Sequence, residues 1–226
     1  MFFNLISICI ISASATYSFS SQYDKEVAQT VEFLDGDEII NATLSTYLNI
    51  DDVICAKSIV APEVAMCFGL KAMIEYQTMG IVYVNTGSLD FSIGVFQMKP
   101  SFAERIEYIV NEIDDLKIKY ESLLMDEPNL RLQRKKRFKR LISLDWQVCY
   151  LAAFIDIVKV LTDNYDFKTS EEKVKYWATL YNAGIDLSSE QVYEFYKTNE
   201  FPRNSRLFNY SNVALEFYAL FRRNHN

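Results

Sequence analysis

Glu63 ends the run Ile59-Val60-Ala61-Pro62-Glu63. With Ala56, Ile59 and Val60 it follows the i, i+3, i+4, i+7 spacing of one helix face, so a carboxylate continues an apolar stripe. An exposed Glu, with a reference pKa of about 4.3, is ionised at neutral pH. Burial disfavours the charge and would carry the group toward about 6–7, where it can give a proton to a leaving oxygen and later take one back. The bland alternative is a helix-end carboxylate that serves as a cap or in an ion pair. Two further elements mix polar and apolar residues: Phe91-Ser92-Ile93-Gly94-Val95-Phe96-Gln97-Met98-Lys99-Pro100 and Trp177-Ala178-Thr179-Leu180-Tyr181-Asn182-Ala183-Gly184. Ser92 and Gln97 can hydrogen-bond hydroxyl or N-acetyl groups, and Gly94, lacking a Cβ, lets a ligand approach the backbone. Against this stands loop self-capping for Ser92 and Gln97.

In this order the three elements resemble the lytic transglycosylases and goose-type lysozymes. Members of those families carry a catalytic Glu at the end of an apolar helix. A Gly-Leu-Met-Gln-Ile-x-Pro-like element follows, and an Ala-Tyr-Asn-Ala-Gly element comes later. Here Gly94 to Pro100 is similar to the second and Tyr181-Asn182-Ala183-Gly184 to the third. Trp146 to Ile157 resembles the helix between them, and Asn209-Tyr210-Ser211-Asn212-Val213 the terminal Tyr-containing helix, so the likeness spans roughly residues 45–220. The chain departs from the pattern at Val64, where the family has Ser after its Glu, at Pro62, and in a longer helical region over 101–145.

The resemblance implies a lysozyme-like helical domain that cleaves peptidoglycan glycan strands at the muramic acid–glucosamine bond, with no cofactor and no metal. Glu63 would be the single acid/base of a lytic transglycosylase. Ser92, Gly94, Gln97, Tyr181 and Asn182 would hold the sugar, with Tyr181 orienting the Glu63 carboxyl or an N-acetyl group and Asn182 holding its loop. The competing reading of Tyr181 is a core aromatic. A lysozyme-type hydrolytic route often needs a second carboxylate. Asp90 is the candidate, against a solvated loop Asp. The rival functional reading is a catalytically silent peptidoglycan-binding or envelope-assembly protein on the same fold, which Val64 favours.

The elements that must position these residues are helices. Gly (6) and Pro (4) are scarce among 226 residues of which half are hydrophobic, a composition suited to long helices around one core. Hydrophobic periodicity and breakers predict helices near 25–34, 37–48, 51–79, 101–126, 129–164, 170–183, 188–197 and 208–223. Pro62 should kink or end its helix. Residues 80–100 hold three of the six glycines, the β-rich Ile81-Val82-Tyr83-Val84 and the turn signal Asn85-Thr86-Gly87, which predict a short hairpin or an irregular loop. Stripes at Trp146, Cys149, Tyr150, Ala153, Phe154 and Ile157, and at Val174, Trp177, Ala178 and Tyr181, read as core walls.

Charge and composition exclude several functions. A net charge of −7 and a pI of about 4.9 argue against nucleic acid as a partner. His225 is the only His and lies at the chain end, which removes Ser-His triads and His-based metal sites. No dinucleotide or phosphate-binding glycine motif is present. The apolar Phe2–Ala15 stretch with Ala13-Ser14-Ala15 reads as an export signal without the usual basic residue, the alternative being a buried N-terminal helix. We therefore expect 1–20 as signal, Ser18 to Asp24 as a tether, 21–226 as one domain, and an exported, periplasmic or extracellular monomer. Cys55, Cys67 and Cys149 fit free buried thiols. The run 131–140 (RLQRKKRFKR) carries seven positive residues, a solvated helix face or a contact for anionic envelope surfaces.

Overall fold

The computed structural model describes residues 18–68, 76–203 and 205–225. The chain is mainly helical, 72 % helix, with no strands among the described residues. In chain order the helices are α1 (Phe19–Gln22), α2 (Asp24–Gly36), α3 (Glu38–Tyr47), α4 (Ile50–Phe68), α5 (Tyr76–Thr86), α6 (Pro100–Glu112) and α7 (Asp114–Lys119). They continue as α8 (Leu130–Leu141), α9 (Leu144–Leu161), α10 (Ser170–Ala183), α11 (Ser189–Phe195) and α12 (Tyr210–His225). Their starts follow local chemistry. The side chains of Asp37, Asn129 and Thr169 accept hydrogen bonds from Ile40, Leu132 and Glu172 backbone N–H groups, and Ser188 forms a capping box with Gln191. Among the described residues, no single helix is long and apolar enough to cross a membrane.

Two helices form the centre. Every residue of α9 from Gln147 to Val158 is buried, as befits a helix apolar on all sides. In α4, every residue from Asp52 to Ala65 is buried except Glu63. Helices α2, α3, α9, α10 and α12 pack around α4. Of the two outcomes expected at Pro62, a kink or an end, the end is corrected, because the helix continues to Phe68. Burial of the surrounding turns on five helices outweighs the ~3 kcal/mol that an internal proline costs. Tyr210 Oη donates to the Ile59 carbonyl at 2.9 Å in the turn that Pro62 perturbs.

Other expected boundaries move for tertiary reasons. The β-rich Ile81–Val84 run is helical, inside α5. Tyr83 is buried there, donating to Glu104 Oε1 at 2.9 Å and accepting from Arg137 at 2.8 Å. Gly80 lies so close to the Phe138 ring that an added Cβ would meet it at 2.2 Å. Packing on α8 therefore decides over strand propensity. Gly87, at φ +71°, ends α5, and 88–99 is the irregular loop, closed by an Ile93–Met98 antiparallel bridge. The predicted 101–126 helix breaks at Ile113, and the predicted 129–164 helix breaks at Ile142–Ser143 with a 99° bend.

The N-terminal expectation is revised at Ser18. Residues 1–17 of the expected signal lie outside the described residues, but Ser18–Gln22 is no tether. Phe19 is fully buried against Tyr23, Phe201, Phe208 and Phe217. The Phe19 and Ser20 amides both donate to Glu216 on α12, at 3.1 and 2.8 Å. The core therefore begins before residue 21. Phe19→Ala should lower stability by about 3–4 kcal/mol, and a chain starting at Ser21 should melt well below one starting at Thr16. Equal unfolding midpoints in denaturant titration would show that α1 contributes nothing.

Candidate active site

A groove of about 1400 Å3 opens over the C-terminal end of α4. One wall is the 90–99 loop with the start of α6. The facing wall is the end of α10 through Asp186, and the 198–206 segment and the start of α12 complete the rim. The three sequence elements therefore meet: Glu63, Ser92 and Gln97, and Tyr181 and Asn182 all line it.

Glu63 is half-buried in the groove, and among the described residues its carboxyl has neither hydrogen bond nor ion pair. Burial pushes its pKa up to about 7, partly offset by the positive charges of Arg203 and Lys99. A carboxyl at that value is protonated in a substantial fraction of molecules at neutral pH, and its lack of partners leaves the proton available. Tyr181 and Tyr210 are its buried neighbours. Burial raises both phenols well above their ordinary value, and the Glu63 charge adds to this.

Tyr181 does not aim the carboxyl with its proton. Its Oη donates to the Phe96 carbonyl at 2.7 Å, and its ring packs edge-on against Phe102 and Phe154. Its work is to fix the Ile93–Met98 loop beside Glu63. The loop is held from below by Gln147, whose Oε1 accepts from Phe96 N at 2.8 Å while Nε2 donates to the Leu141 carbonyl at 2.7 Å. That arrangement explains Gly94. At φ +72°, a Cβ there would lie 1.5 Å from Gln147 Nε2. Gly94 does not line the groove, so the expectation of close approach to a ligand is replaced by close approach to Gln147.

The other predicted residues divide. Ser92 lines the groove with a hydroxyl that has no partner among the described residues, as does the exposed side chain of Asn182, which does not hold its loop as expected. Gln97, at φ +50°, donates from Nε2 to the Gly94 carbonyl at 2.6 Å and so contributes to the loop itself. Asp90 is committed elsewhere, with Oδ1 accepting from Ser101 N at 3.0 Å and Oδ2 from Ser101 Oγ at 2.8 Å. It caps α6, whose first residue is proline. Val64 is fully buried in the core, so a Ser at that position would not reach the groove.

Cys55, Cys67 and Cys149, the cysteines among the described residues, are free. Cys55 and Cys149 are buried, whereas Cys67 lies one turn after Glu63 and lines the groove. Among the described residues no cluster of His, Cys, Asp or Glu has the arrangement of a metal site. The basic run 131–140 is divided, with Arg131, Lys135 and Lys139 exposed and other members built into the fold. Arg137 and Arg140 are buried, Arg137 pairing with Glu107 and Glu104 and Arg140 donating to the Ser122 and Leu123 carbonyls. Lys136 pairs with Asp126 and Glu127, and Arg131 donates to Asn85. Sequence reasoning missed Gln147 and Arg203. A lone amide in the apolar Leu144–Leu161 helix was the signal for the first, and nothing marked the second.

No family model, curated protein or solved structure matches the chain.

The raised Glu63 pKa has a stability consequence. Below about pH 4.5 the carboxyl is protonated in both the folded and unfolded states, and no charge is buried. Between about 4.5 and 7 the folded state holds the proton that the unfolded state has lost, so stability falls as pH rises and stays reduced above 7. Glu63→Gln should therefore match the parent near pH 4.5 and exceed it by about 1–2 kcal/mol at pH 8, discounted for partial solvent contact. Urea titrations at both pH values check this, and equal stabilities at pH 8 would mean the charge is well solvated.

Proposed function

We propose that this chain is a lysozyme-like, exported enzyme that cleaves peptidoglycan at the muramic acid–glucosamine bond, as a lytic transglycosylase with Glu63 as the single acid/base. The observation that carries this reading is that Glu63 is the one residue of α4 between Asp52 and Ala65 that is not buried, facing an open groove with no partner among the described residues and a pKa near 7. Breaking a glycosidic bond requires an acid that is still protonated at working pH. Convergence of three elements spread over more than a hundred residues of chain on one groove supports the family resemblance.

In the step we infer, Glu63 protonates the glycosidic oxygen as the bond to the anomeric carbon breaks. The carboxylate so formed takes the proton from the muramic acid primary hydroxyl, whose oxygen bonds to the anomeric carbon and closes an anhydro ring. Glu63 ends as it began, protonated. Two features favour this over hydrolysis. Asp90 is occupied at the α6 N-terminus, and the charges acting on Glu63 come from cations rather than from a second carboxylate. Phe96 is buried in the core and does not fill the groove, which leaves room for a glycan chain.

Mass spectrometry of purified peptidoglycan digested with the chain from Thr16 tests the proposal. Anhydro-muropeptides should appear, and Glu63→Gln should reduce their rate by roughly 10²–10⁴-fold. Reducing-end products would indicate a hydrolase. Binding to sacculi without release of any fragment would replace the enzyme with a binding protein.

A further inference from the structure

The function proposed for the groove leaves the helix pair α5 and α8 without a role. The two pack antiparallel, with Gly80 against Phe138, Tyr83 against Arg137 and Gly87 against Arg134. In a chain with 30 acidic residues and a net charge of −7, neither helix contains an Asp or Glu, and residues 131–140 carry seven positive charges. The carboxylates that reach this pair are taken up by two of its cations. Glu104 and Glu107 hold the buried Arg137, and Asp126 and Glu127 hold Lys136.

The outer face of the pair is built differently. Arg131, Lys135, Lys139 and Ile142 recur at i, i+4, i+8 and i+11, so they share one side of α8, and all four are exposed. Among the described residues none of the three cations has an ion pair, and the side chains of Lys135 and Lys139 make no hydrogen bond. Arg131 makes one, from Nε to Asn85 Oδ1 at 3.0 Å. That bond sets the geometry of the surface. Asn85 lies one turn after Ile81 on α5, so the cationic side of α8 adjoins the side of α5 that carries Ile81. Ile81 follows Gly80, and Ile142 lies one turn past Phe138, which puts the two isoleucines at the same end of the pair. They are 65 % and 54 % exposed, and Leu132, toward the other end, is also exposed. None of these residues lines the groove.

We propose that this face docks the chain on an anionic lipid bilayer, with Ile81 and Ile142 at the acyl boundary and Arg131, Lys135 and Lys139 among the head-group phosphates. Charge selects the sign of the partner: an acidic chain presents here a surface of two helices without a carboxylate of their own. The apolar members select a bilayer over a soluble polyanion. A polymer pairs with the cations and leaves the isoleucines in water, whereas a membrane interface takes both. The aliphatic stems of the two lysines let their ammonium groups stay at the phosphates while the isoleucines beside them go deeper. The inference is independent of the groove chemistry.

Cosedimentation of the chain from Thr16 with vesicles of phosphatidylcholine, alone or mixed with phosphatidylglycerol, tests the proposal. The chain should bind the phosphatidylglycerol vesicles about tenfold or more tightly, with the margin shrinking as salt is raised. Lys135→Gln with Lys139→Gln should weaken that binding by roughly fivefold per charge removed. Lys25→Gln with Lys117→Gln takes the same charge from exposed positions on α2 and α7 and should leave binding largely intact. Ile81→Ser with Ile142→Ser should release the chain from the vesicles. All six side chains are exposed, so unfolding midpoints should stay close to the parent's. Equal binding to both vesicle types, binding to neither, or equal weakening by the Lys25 and Lys117 pair would overturn the proposal. Sensitivity to Lys135 and Lys139 without sensitivity to the isoleucines would assign the face to a soluble anionic polymer and reject the bilayer. Glu63→Gln should bind vesicles as the parent does, so loss of cleavage and loss of docking are read separately.

Discussion

A helix buried on every side cannot carry an ionised side chain into its packing without cost, and α4 is such a helix. From Asp52 to Ala65 it is enclosed by its neighbours, and within that stretch Glu63 is the one residue that lines the groove. The other features of the site follow from that placement. The carboxyl is partly desolvated because the turns below it are core, and among the described residues it is without partners. A partner at hydrogen-bond distance would have stabilised the anion and removed the chemistry. The helix pays a proline in the same turn, and Tyr210 supplies the Ile59 carbonyl with a donor from α12.

The groove around Glu63 is held by side chains that bond to backbone rather than to the carboxyl. Tyr181 fixes Phe96 from α10, Gln147 fixes the same residue from α9, and Tyr210 fixes α4 from α12. Each is buried, so the bonds form in a medium where leaving them unmade is costly. This separates two tasks: the neighbours set the shape of the groove, and the carboxyl is left without a partner among the described residues. It also accounts for Val64. With the surrounding backbone fixed in this way, the position after Glu63 packs into the core, away from the groove.

The legible part of the site was the part written in local periodicity. Glu63 on an apolar face and the all-helical class follow from spacing and composition, whereas the elements at 91–100 and 177–184 were tied to it by a resemblance to known motifs. What sequence could not supply were the reasons that lie far along the chain. Gly94 suggests access for a ligand until Gln147, 53 positions later, is seen filling its Cβ space. Asp90 suggests a second acid until Ser101 takes both its oxygens. Ile81–Val84 suggests a strand because β-branched residues favour one, and only the packing of Gly80 and Tyr83 against α8 makes it a helix. In the basic run at 131–140 the sequence likewise does not show that two of its arginines are buried, where they bond carboxylates and carbonyls contributed by α6 and by residues 122–123, while Arg131, Lys135 and Lys139 are exposed.

The central claim is that the groove carboxyl carries a proton at neutral pH because burial holds it there. It is tested most directly by carbon-13 NMR titration of the chain labelled at glutamate side chains, with Glu63→Gln assigning the resonance. The account predicts a half-titration point near 7 for Glu63. A value near the ordinary 4.5 would mean that water solvates the charge freely, and the carboxyl could not then act as the acid assigned to it.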